Sequence, residues 1–328
     1  MQRDVFRKMV YAVRIPKREA ETLRSWLKEN GFYAGEFQPK ITEQGEVLLP
    51  VKRDFAVSNP LGLEVVEVKL LRNLVKPQPK LPFDVIGNIC IFKQGKRGVR
   101  YVDEIRRLKS IYNFLEAFYL KVGILEGVER VPPLKLLAGP DRALTIHIEN
   151  GLKFYVDVKR TYFNPRLATE RRRVSELVKN GEQVLDMFAG VGPFSITIAK
   201  YTGAVVDAVD INPYSIMLLK KNIEINGVKR LINAYNSDAS NFSPEKRYDR
   251  VLMNLPFNAL TYLKKAITLC KRNSVLHIYL AQRRDKKDYT QDILATLRGL
   301  QREGNVTKTR VLEYAPRLLI ERYDTQLD

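Results

Sequence analysis

The turn in residues 184–194 constrains the fold of this chain more than any other stretch. An apolar run ends in Asp186, crosses Gly190 and Gly192, and continues into a periodic apolar segment from Phe194. This order predicts a buried strand, a tight turn and a helix. Glycines let the backbone pass close to a ligand, and the helix amino terminus behind them offers unpaired N–H groups. We therefore expect an α/β protein that binds a ligand at this turn.

A second apolar run, residues 204–210, reads as the next buried strand and ends in Asp210. In a doubly wound sheet an acid at this point faces ribose hydroxyls. A dinucleotide site needs a third glycine, but Ser195 stands at that position. An acid four residues before the first glycine is instead typical of S-adenosylmethionine-dependent methyltransferases, where Asp186 would face the amino-acid end of the cofactor. The pattern favours a methyltransferase over an NAD-dependent oxidoreductase, a non-catalytic RNA-binding relic, or an ordinary turn without a ligand.

Two further strands extend the same plan. Residues 231–239 form an apolar run with Asp238 near its end, where an acid commonly accepts the amino group of adenine. Residues 248–257 contain the motif Asn254-Leu255-Pro256, which should lie at the carboxyl edge of the sheet and face the transferred methyl group. The Asn254 amide offers a donor and an acceptor for a base edge. The alternative is a strand-terminating turn, which Asn and Pro also favour.

The amino-acid composition limits the kinds of partner that this chain is expected to bind. The net charge is +19, with 56 basic against 37 acidic residues, and the sequence pI is about 9.8. This favours a nucleic-acid partner, and the alternative is a solvated surface of the kind found in heat-adapted proteins. No apolar run is long enough to span a membrane. Cys90 and Cys270 lie in apolar runs and read as buried thiols of a cytoplasmic protein, and with only two histidines we expect no metal site.

The chain is expected to contain a catalytic domain preceded by smaller domains. The predicted segments are a small α+β module (1–55), a proline-ended linker (56–82), a mixed α/β RNA-binding domain (83–158) and the cofactor-binding domain (159–328). The predicted elements of the first three are a helix over 17–30, a hairpin across Gln44-Gly45, a strand over 83–91 interrupted by Gly87, a helix over 102–120, and a hairpin with its turn at Asn150-Gly151.

The bridge into the cofactor-binding domain, residues 159–174, combines aromatic side chains with five arginines and Glu170. Glu170 beside three of those arginines could form exposed ion pairs at a helix start. The same residues could form a wall that binds a nucleic-acid base. The residues themselves leave both interpretations open.

Four motifs together resemble the archaeal and eukaryotic tRNA guanine-N1 methyltransferases that act at position 37, beside the anticodon. These motifs are residues 83–87, 164–171, 186–194 and 254–256. The resemblance covers about residues 80–328, and in archaeal members the amino-terminal module contacts the tRNA body. It implies a class I, Rossmann-like, S-adenosylmethionine methyltransferase domain whose partner is the anticodon loop and body of tRNA, with no membrane and no obligate protein partner.

The resemblance also implies roles for individual residues. Glu170 would be the base for the N1 proton, and Arg130 would stabilise negative charge on O6. Asn254 and Pro256 would hold the guanine in a pocket shaped by Tyr162 and Arg171. The implied cofactor-binding residues are Asp186, Phe188, Gly190, Gly192, Asp210, Asp238 and Asn254. Some relatives instead, or also, methylate carbon 7 of the tricyclic wyosine precursor, and the retained Asn254 motif favours guanine N1.

The chemistry of guanine demands such a set. Its N1 carries a proton at neutral pH, so methylation needs a base and a group that stabilises the enolate-like oxygen. A glutamate at its unperturbed pKa of about 4.3 is a weak base, and partial burial could raise that pKa. The base is normally stacked, so it must be flipped into the site.

Overall fold

The structure, a computed structural model, describes residues 7–71, 81–93, 100–123, 133–283, 288–315 and 317–328. The chain divides into two compact units, Met1–Pro79 and Lys80–Asp328. Each unit has its own sheet and hydrophobic core and is described by itself.

The first unit is a four-stranded antiparallel sheet with two helices, in the strand order β2-β3-β1-β4. Its elements are β1 (Arg7–Pro16), α1 (Ala20–Glu29), β2 (Lys40–Ile41), β3 (Glu46–Pro50), α2 (Arg53–Ser58) and β4 (Val65–Leu71). Leu27, Leu49 and Phe55 lie at the centre of its core. The helix predicted from residue 17 and the hairpin across Gln44-Gly45 are confirmed.

Strand β4 lies inside the segment predicted as a linker, residues 56–82, and that prediction was wrong on its amino-terminal side. The strand pairs antiparallel with β1 over its whole length. Its sequence is rich in valine, whose branched side chains pack well on a pleated surface. The first unit therefore continues past residue 55. Residues 72–80, which hold much of the proline run, lie outside the described residues.

The second unit begins with a four-stranded mixed sheet, in the order β5-β6-β7-β8, and a separate hairpin. These elements are β5 (Phe83–Ile86), β6 (Ile89–Phe92), α3 (Tyr101–Ile111), β7 (Ala117–Lys121), β8 (Leu134–Ala138), β9 (Leu144–Glu149) and β10 (Leu152–Asp157). The strand predicted over 83–91 is two strands, because the chain reverses at Gly87, which has φ +55°. A Cβ at Gly87 would lie 2.5 Å from the backbone oxygen of Ile146, so the turn requires glycine.

The helix predicted over 102–120 ends at Ile111, and strand β7 follows it. The apolar spacing continues past the helix because Phe118 and Tyr119 are fully buried in β7, which pairs in parallel with β6. Burial in the sheet overrides the helical period there.

A seven-stranded sheet forms the rest of the second unit, in the order β13-β12-β11-β14-β15-β17-β16. Its elements are α4 (Ala168–Leu177), β11 (Gln183–Asp186), α5 (Pro193–Thr202), β12 (Val205–Asp210), α6 (Pro213–Ile225), β13 (Ile232–Asn236), β14 (Tyr248–Met253), α7 (Leu263–Leu269), β15 (Cys270–Arg283), α8 (Thr290–Gly299), β16 (Gly304–Ala315) and β17 (Leu318–Leu327). Short 3-10 helices precede α1, α4 and α7, at Lys17–Glu19, Pro165–Leu167 and Ala259–Tyr262.

The first five strands in this order are parallel to one another. Strand β17 runs antiparallel to its two neighbours, β15 and β16. The strand order reverses at β11, because the chain continues to β12 on one side and later to β14 on the other. Open α/β sheets bind ligands at the carboxyl ends of the strands at such a point. The doubly wound α/β architecture expected from the sequence is confirmed.

The hairpin of β9 and β10 turns at Asn150 and Gly151, both with positive φ, as predicted. Two side-chain amides, one in α6 and one at its C-cap, hold this hairpin. Asn222 exchanges hydrogen bonds with both backbone groups of Tyr155, and Asn226 does the same with Lys153. The boundary predicted at residue 158 therefore falls inside one compact unit. In the parts of the chain that the structure describes, no helix combines the length and hydropathy needed to cross a bilayer.

Candidate active site

The turn after β11 has the backbone that its glycines predicted. β11 ends at Asp186, and α5 begins at Pro193, directly after Gly192 at φ +88°. This φ favours glycine, and a Cβ on Gly192 would lie 2.2 Å from Cδ1 of the buried Leu219 in α6, whose side chain would have to move. Gly190 has φ +55° and lines the cavity described below.

The Asp210 carboxylate, at the end of β12, is hydrogen-bonded to the turn that follows β11. The Gly190 N–H donates to Asp210 Oδ2 at 2.7 Å, and the Asn212 N–H donates to Oδ1 at 2.9 Å. These bonds fix the carboxylate at the end of β12 and hold the glycine turn against it.

A cavity of about 440 Å³ opens at this edge of the sheet, within the usual range for small-molecule sites. It brings together eight residues that the sequence predicted: Tyr162, Arg171, Phe188, Gly190, Asp210, Asp238, Asn254 and Pro256. Further lining residues were given no individual role from the sequence, among them Phe163, Asn164, Met187, Ile211 and Tyr262. Met187 and Ile211 directly follow Asp186 and Asp210, and this adjacency is the one sequence signal that could have marked them as lining residues. Tyr262 belongs to no motif.

Asp186 is 1% exposed, and neither it nor Gly192 is among the residues that line the cavity, although Met187 and Gly190 are. Asp186 Oδ2 accepts a hydrogen bond from the Ser195 hydroxyl at 2.8 Å, and the backbone N–H groups of Phe188 and Ser195 also interact with the carboxylate. Among the described residues no hydrogen bond of normal geometry reaches its buried Oδ1. Burial raises the pKa of this carboxyl to about 6. A buried carboxylate oxygen without a donor is costly unless a ligand supplies one.

Asp238 follows β13 and lines the same cavity. Its Oδ1 accepts hydrogen bonds from the backbone N–H and the hydroxyl of Ser240, both at 2.8 Å. Nearby, the Phe188 and Tyr262 rings meet edge to face with centroids 5.1 Å apart. The cavity therefore combines acidic acceptors with an aromatic wall.

The motif Asn254-Leu255-Pro256 follows β14, and all three of its residues line the cavity. The backbone oxygen of Pro256 accepts a hydrogen bond from the Ala281 N–H at 2.8 Å, which fixes the loop to β15. Asn254 Oδ1 is buried and has no partner in the part of the chain that the structure describes. The amide oxygen is thus available to a ligand in the cavity, and the role given to Asn254 from the sequence stays a prediction.

Arg171 lines the cavity and is 1% exposed. Its guanidinium donates two hydrogen bonds to the buried carboxylate of Glu149 in β9, one of them from Nε at 2.6 Å. A third bond, 3.2 Å long, reaches the backbone oxygen of Asn164. Arg171 therefore also ties α4 to the β9–β10 hairpin, and sequence reasoning missed Glu149, which no motif marks.

Glu170 is not among the residues that line the cavity. It lies in the first turn of α4 and is 7% exposed. Its carboxylate accepts hydrogen bonds from the Tyr279 hydroxyl at 2.7 Å, from Arg173 at 2.8 Å and from Arg322 at 2.9 Å. The interpretation as an exposed ion pair is wrong, because the pairing is buried. The structure does not bring the carboxylate to the cavity wall that its neighbour Arg171 forms.

The cations around Glu170 belong to a longer buried network. Arg322 Nε donates to Asp324 Oδ2 at 2.7 Å, and Asp324 Oδ1 lies 2.5 Å from His277 Nδ1. Burial lowers the pKa of His277, so the ring is neutral near pH 7. Its Nε2 accepts from Arg250 at 2.8 Å. Side chains from α4, β14, β15 and β17 are thus coupled in one network, and none of them lines the cavity.

Arg130, for which a role on guanine O6 was predicted, lies outside the described residues. Cys90 and Cys270 are buried and neither forms a disulfide, and burial raises the pKa of each thiol to about 12. In the described ranges no group of three or more His, Cys, Asp or Glu side chains could hold a metal ion.

The hydrogen-bond acceptors at this site suit the donor groups of S-adenosylmethionine. Asp210 at the end of β12 and Asp238 after β13 line the cavity and suit hydroxyl and amino groups, and the buried Asp186 at the end of β11 suits an ammonium group. Apolar and aromatic side chains supply the wall for an adenine ring. This fit rests on the buried unpaired oxygen and on the acids that surround the same cavity.

Comparison with known proteins identifies relatives of the whole arrangement. The family model described as the TRM5/TYW2 methyltransferase domain matches residues 145–303. The chain is 38% identical over 288 residues to the Pyrococcus abyssi tRNA (guanine(37)-N(1))-methyltransferase Trm5b, with 83% of this chain and 84% of that protein covered. It is also 37% identical over 216 residues to a Pyrococcus horikoshii tRNA(Phe) (4-demethylwyosine(37)-C(7)) aminocarboxypropyltransferase, with 66% and 77% covered.

The fold of almost the whole chain also matches a solved structure, described as the complex of aTrm5 and tRNALeu. The TM-score is 0.71 at 30% sequence identity, and the match covers 97% of this chain and 99% of that one.

Proposed function

The chain belongs to the TRM5/TYW2 methyltransferase family, and from that premise we propose that it transfers a methyl group from S-adenosylmethionine to N1 of guanine 37 of tRNA. The observation that carries this proposal is the buried, unpaired amide oxygen of Asn254 in the same cavity as Asp210 and Asp238. Such a cavity can hold a cofactor and a base edge side by side. The charge of +19 supports a polyanionic substrate.

Four residues would hold the cofactor from different sides. Asp186 would accept from the amino group of its methionine moiety, Asp210 from the ribose hydroxyls and Asp238 from the adenine amino group. Phe188 would pack against the adenine, and the glycine turn leaves the backbone close to the ligand. When bound, S-adenosylmethionine supplies an activated methyl group for in-line displacement.

The raised pKa of Asp186 predicts pH-dependent cofactor affinity. An ammonium group needs the ionised carboxylate, so binding must displace a proton once the pH falls below about 6. The Kd for S-adenosylmethionine is expected to rise toward about tenfold per pH unit below that point. Calorimetry from about pH 7 to pH 5 measures it.

The raised pKa of Asp186 also makes the free energy of unfolding depend on pH. Because the folded-state pKa lies above the unfolded value, the carboxyl stabilises the fold at low pH, and this is lost as the pH rises through about 6. Asp186→Asn is therefore expected to raise the free energy of unfolding at pH 7, by at most about 3 kcal/mol, and to abolish the pH dependence of cofactor binding. Asp103→Asn, at an exposed position, is the control. A wild-type Kd that does not change between pH 7 and pH 5 would overturn this role.

The target guanine would be held by the residues at the other end of the cavity. Asn254 can bond to its Watson–Crick edge through the amide oxygen, which accepts from an N–H. Pro256, Tyr162 and Arg171 would shape the pocket that the flipped base enters. Arg130 would stabilise the developing charge on O6, a role that remains a prediction.

We propose Glu170 as the base that takes the N1 proton, although its carboxylate is held behind the cavity by cationic side chains. Arg173 and Arg322 lie 2.8 Å and 2.9 Å from its oxygens. To act, it must leave at least one of these donors when RNA binds. Its position next to Arg171, on the first turn of α4, makes a change of side-chain rotamer the shortest route.

Methyl transfer from labelled S-adenosylmethionine to an unmodified tRNA with guanine at position 37 tests the proposed function. The matched control is the same tRNA with adenine at that position. Label on the guanine form alone, mapped to N1 of the nucleoside, is expected. Label on both forms, or on neither, would contradict the proposal.

A second candidate is methylation at carbon 7 of the tricyclic wyosine precursor at the same position. The observation that favours it is a Nanoarchaeum equitans relative, 36% identical over 149 residues, which is named as a tRNA (guanine(37)-N(1))/4-demethylwyosine(37)-methyltransferase. Carbon carries no proton that must leave before attack, so the reaction would not depend on Glu170. A tRNA carrying the precursor, offered as substrate to the wild type and to Glu170→Gln, separates the two reactions.

The proposed place of action is the cytoplasm. The two buried thiols, which form no disulfide, are consistent with a reducing compartment. No obligate protein partner is required by this proposal.

A further inference from the structure

A second cavity, of about 350 Å³, adjoins the first in the same compact unit. The two cavities share the wall formed by Tyr162, Phe163 and Asn164. Its other walls come from β5, β6, β7 and the end of β16. None of the cofactor-binding acids lines it, so it is free for another part of the substrate.

This cavity carries an excess of positive charge. Its described lining holds three cations, Lys93, Lys121 and Arg166, against one carboxylate, that of Asp84. Arg166 Nε donates to Asp84 Oδ1 at 2.6 Å, and Lys93 Nζ lies 3.4 Å from Asp84 Oδ2. One carboxylate therefore serves two cations, and among the described residues Lys121 has no carboxylate within ion-pair distance.

An aromatic ring holds both ammonium groups in place. Lys93 Nζ and Lys121 Nζ lie 6.0 Å and 5.6 Å from the centroid of the Tyr314 ring, and Lys121 also donates to the Tyr314 hydroxyl at 3.4 Å. Burial lowers the pKa of both lysines. Half-buried cations that lack full counter-charge are stabilised by an anionic ligand.

We propose that this second cavity binds the phosphate and ribose of the nucleotide that adjoins the target guanine, with Lys93 and Lys121 contacting the phosphate. The inference rests on the proposed function, because a flipped base in the first cavity carries its flanking phosphodiester to the shared wall. Ile86, Ile91 and Val158 give the cavity an apolar side that suits a sugar ring and not a hydrated inorganic anion. Phosphate contacts of this kind fix the position of the RNA and do not read its sequence.

The expected effect of Lys121→Gln is weaker binding of tRNA whatever its sequence. The dependence of log Kd on log salt concentration should decrease by about 0.7 for each single-stranded phosphate that the variant no longer neutralises. Lys220→Gln, at an exposed position in α6 that lines neither cavity, removes the same charge and is the matched control. S-adenosylmethionine affinity, measured for each variant, reports whether the fold is intact.

An uncharged methylphosphonate in the tRNA backbone identifies which phosphate the second cavity contacts. Full-length tRNA is prepared with a methylphosphonate immediately 5′ or immediately 3′ of guanine 37, and its Kd is compared with that of unmodified tRNA. In the wild-type protein one of the two linkages is expected to weaken binding by about tenfold. In Lys121→Gln the same linkage should cost little, because the charged partner is already gone.

The outcomes separate this inference from the proposed function. Methylation of guanine 37 by the wild type, with equal methylphosphonate costs in the wild type and in Lys121→Gln, would overturn the phosphate contact alone. Absence of methylation at guanine 37 would overturn the proposed function. In that case, loss of the methylphosphonate cost in Lys121→Gln would still assign the cavity to a phosphate of the anticodon loop.

Discussion

Replacing Glu170 with glutamine is expected to lower the rate of methyl transfer to guanine 37 by about 10²–10⁴-fold, the usual contribution of a general base. Other groups at the site are poorly suited to take the proton. Burial raises the pKa of Tyr162, so its hydroxyl stays protonated at neutral pH. Arg171 is ion-paired, and the acids at the ends of β12 and β13 are assigned to the cofactor. Single-turnover kinetics with saturating tRNA and cofactor measure the chemical step.

Two further variants distinguish a base from a structural anchor. Glu176→Gln removes an exposed carboxylate from the same helix and should leave the rate unchanged. Tyr279→Phe removes one hydrogen bond to Glu170 while keeping its carboxylate. If Glu170 is the base, Tyr279→Phe should retain most of its activity, whereas Glu170→Gln should not.

Unchanged turnover in Glu170→Gln would show that the N1 proton leaves by another route. The carboxylate would then serve only to neutralise Arg173 and Arg322 inside the fold. In that case the variant should lose stability without losing the rate of the chemical step.

Arg171→Met is expected to lower the free energy of unfolding by about 3–5 kcal/mol, because it leaves the buried charge of Glu149 without its partner. The two side chains are 1% and 4% exposed, so solvent does not screen the loss. Denaturant unfolding, followed by a fluorescence or circular dichroism signal, measures the change.

The adjacent residue provides a matched control. Arg172 pairs with Glu176 on the exposed side of the same helix, where ion pairs contribute about 0–1 kcal/mol. Arg172→Met should therefore cost far less than Arg171→Met. Equal costs would contradict a stabilising role for the buried pair.

A double variant separates stability from activity. Replacing Arg171 and Glu149 together by methionine removes both buried charges, and apolar replacements of buried ion pairs are often neutral or stabilising. Most of the stability should return. Methyl transfer should remain low, because Arg171 also lines the cavity that would receive the guanine.

Sequence alone was sufficient for the features that depend on local order along the chain. The acid-ended strands at Asp186 and Asp210, the glycine turn between them and the hairpin at Asn150-Gly151 were all predicted from residue types and spacing. In a parallel sheet, strand ends meet at one edge. Predicting the strands therefore also predicted that Asp238 and Asn254 would share a cavity with Asp210.

Contacts between segments far apart in the chain were decided by the tertiary structure. Strand β4 was mistaken for part of a linker because only its partner β1 makes it a strand. The helix predicted past Ile111 gives way to β7, whose aromatic residues are buried against elements that local spacing does not reveal.

The ion-pair partners of the site residues were likewise decided by the tertiary structure. The sequence indicated Glu170 and Arg171 as neighbours, yet it could not tell that they face different partners. Arg171 pairs with Glu149 from a hairpin, and Glu170 pairs with Arg322 from the last strand. The free energy of a buried charge depends on which opposite charges lie within a few ångströms, and that is a property of the packed chain. Sequence therefore determined which groups are available at the site, and packing determined which carboxylate is held back and which cavity is left positively charged.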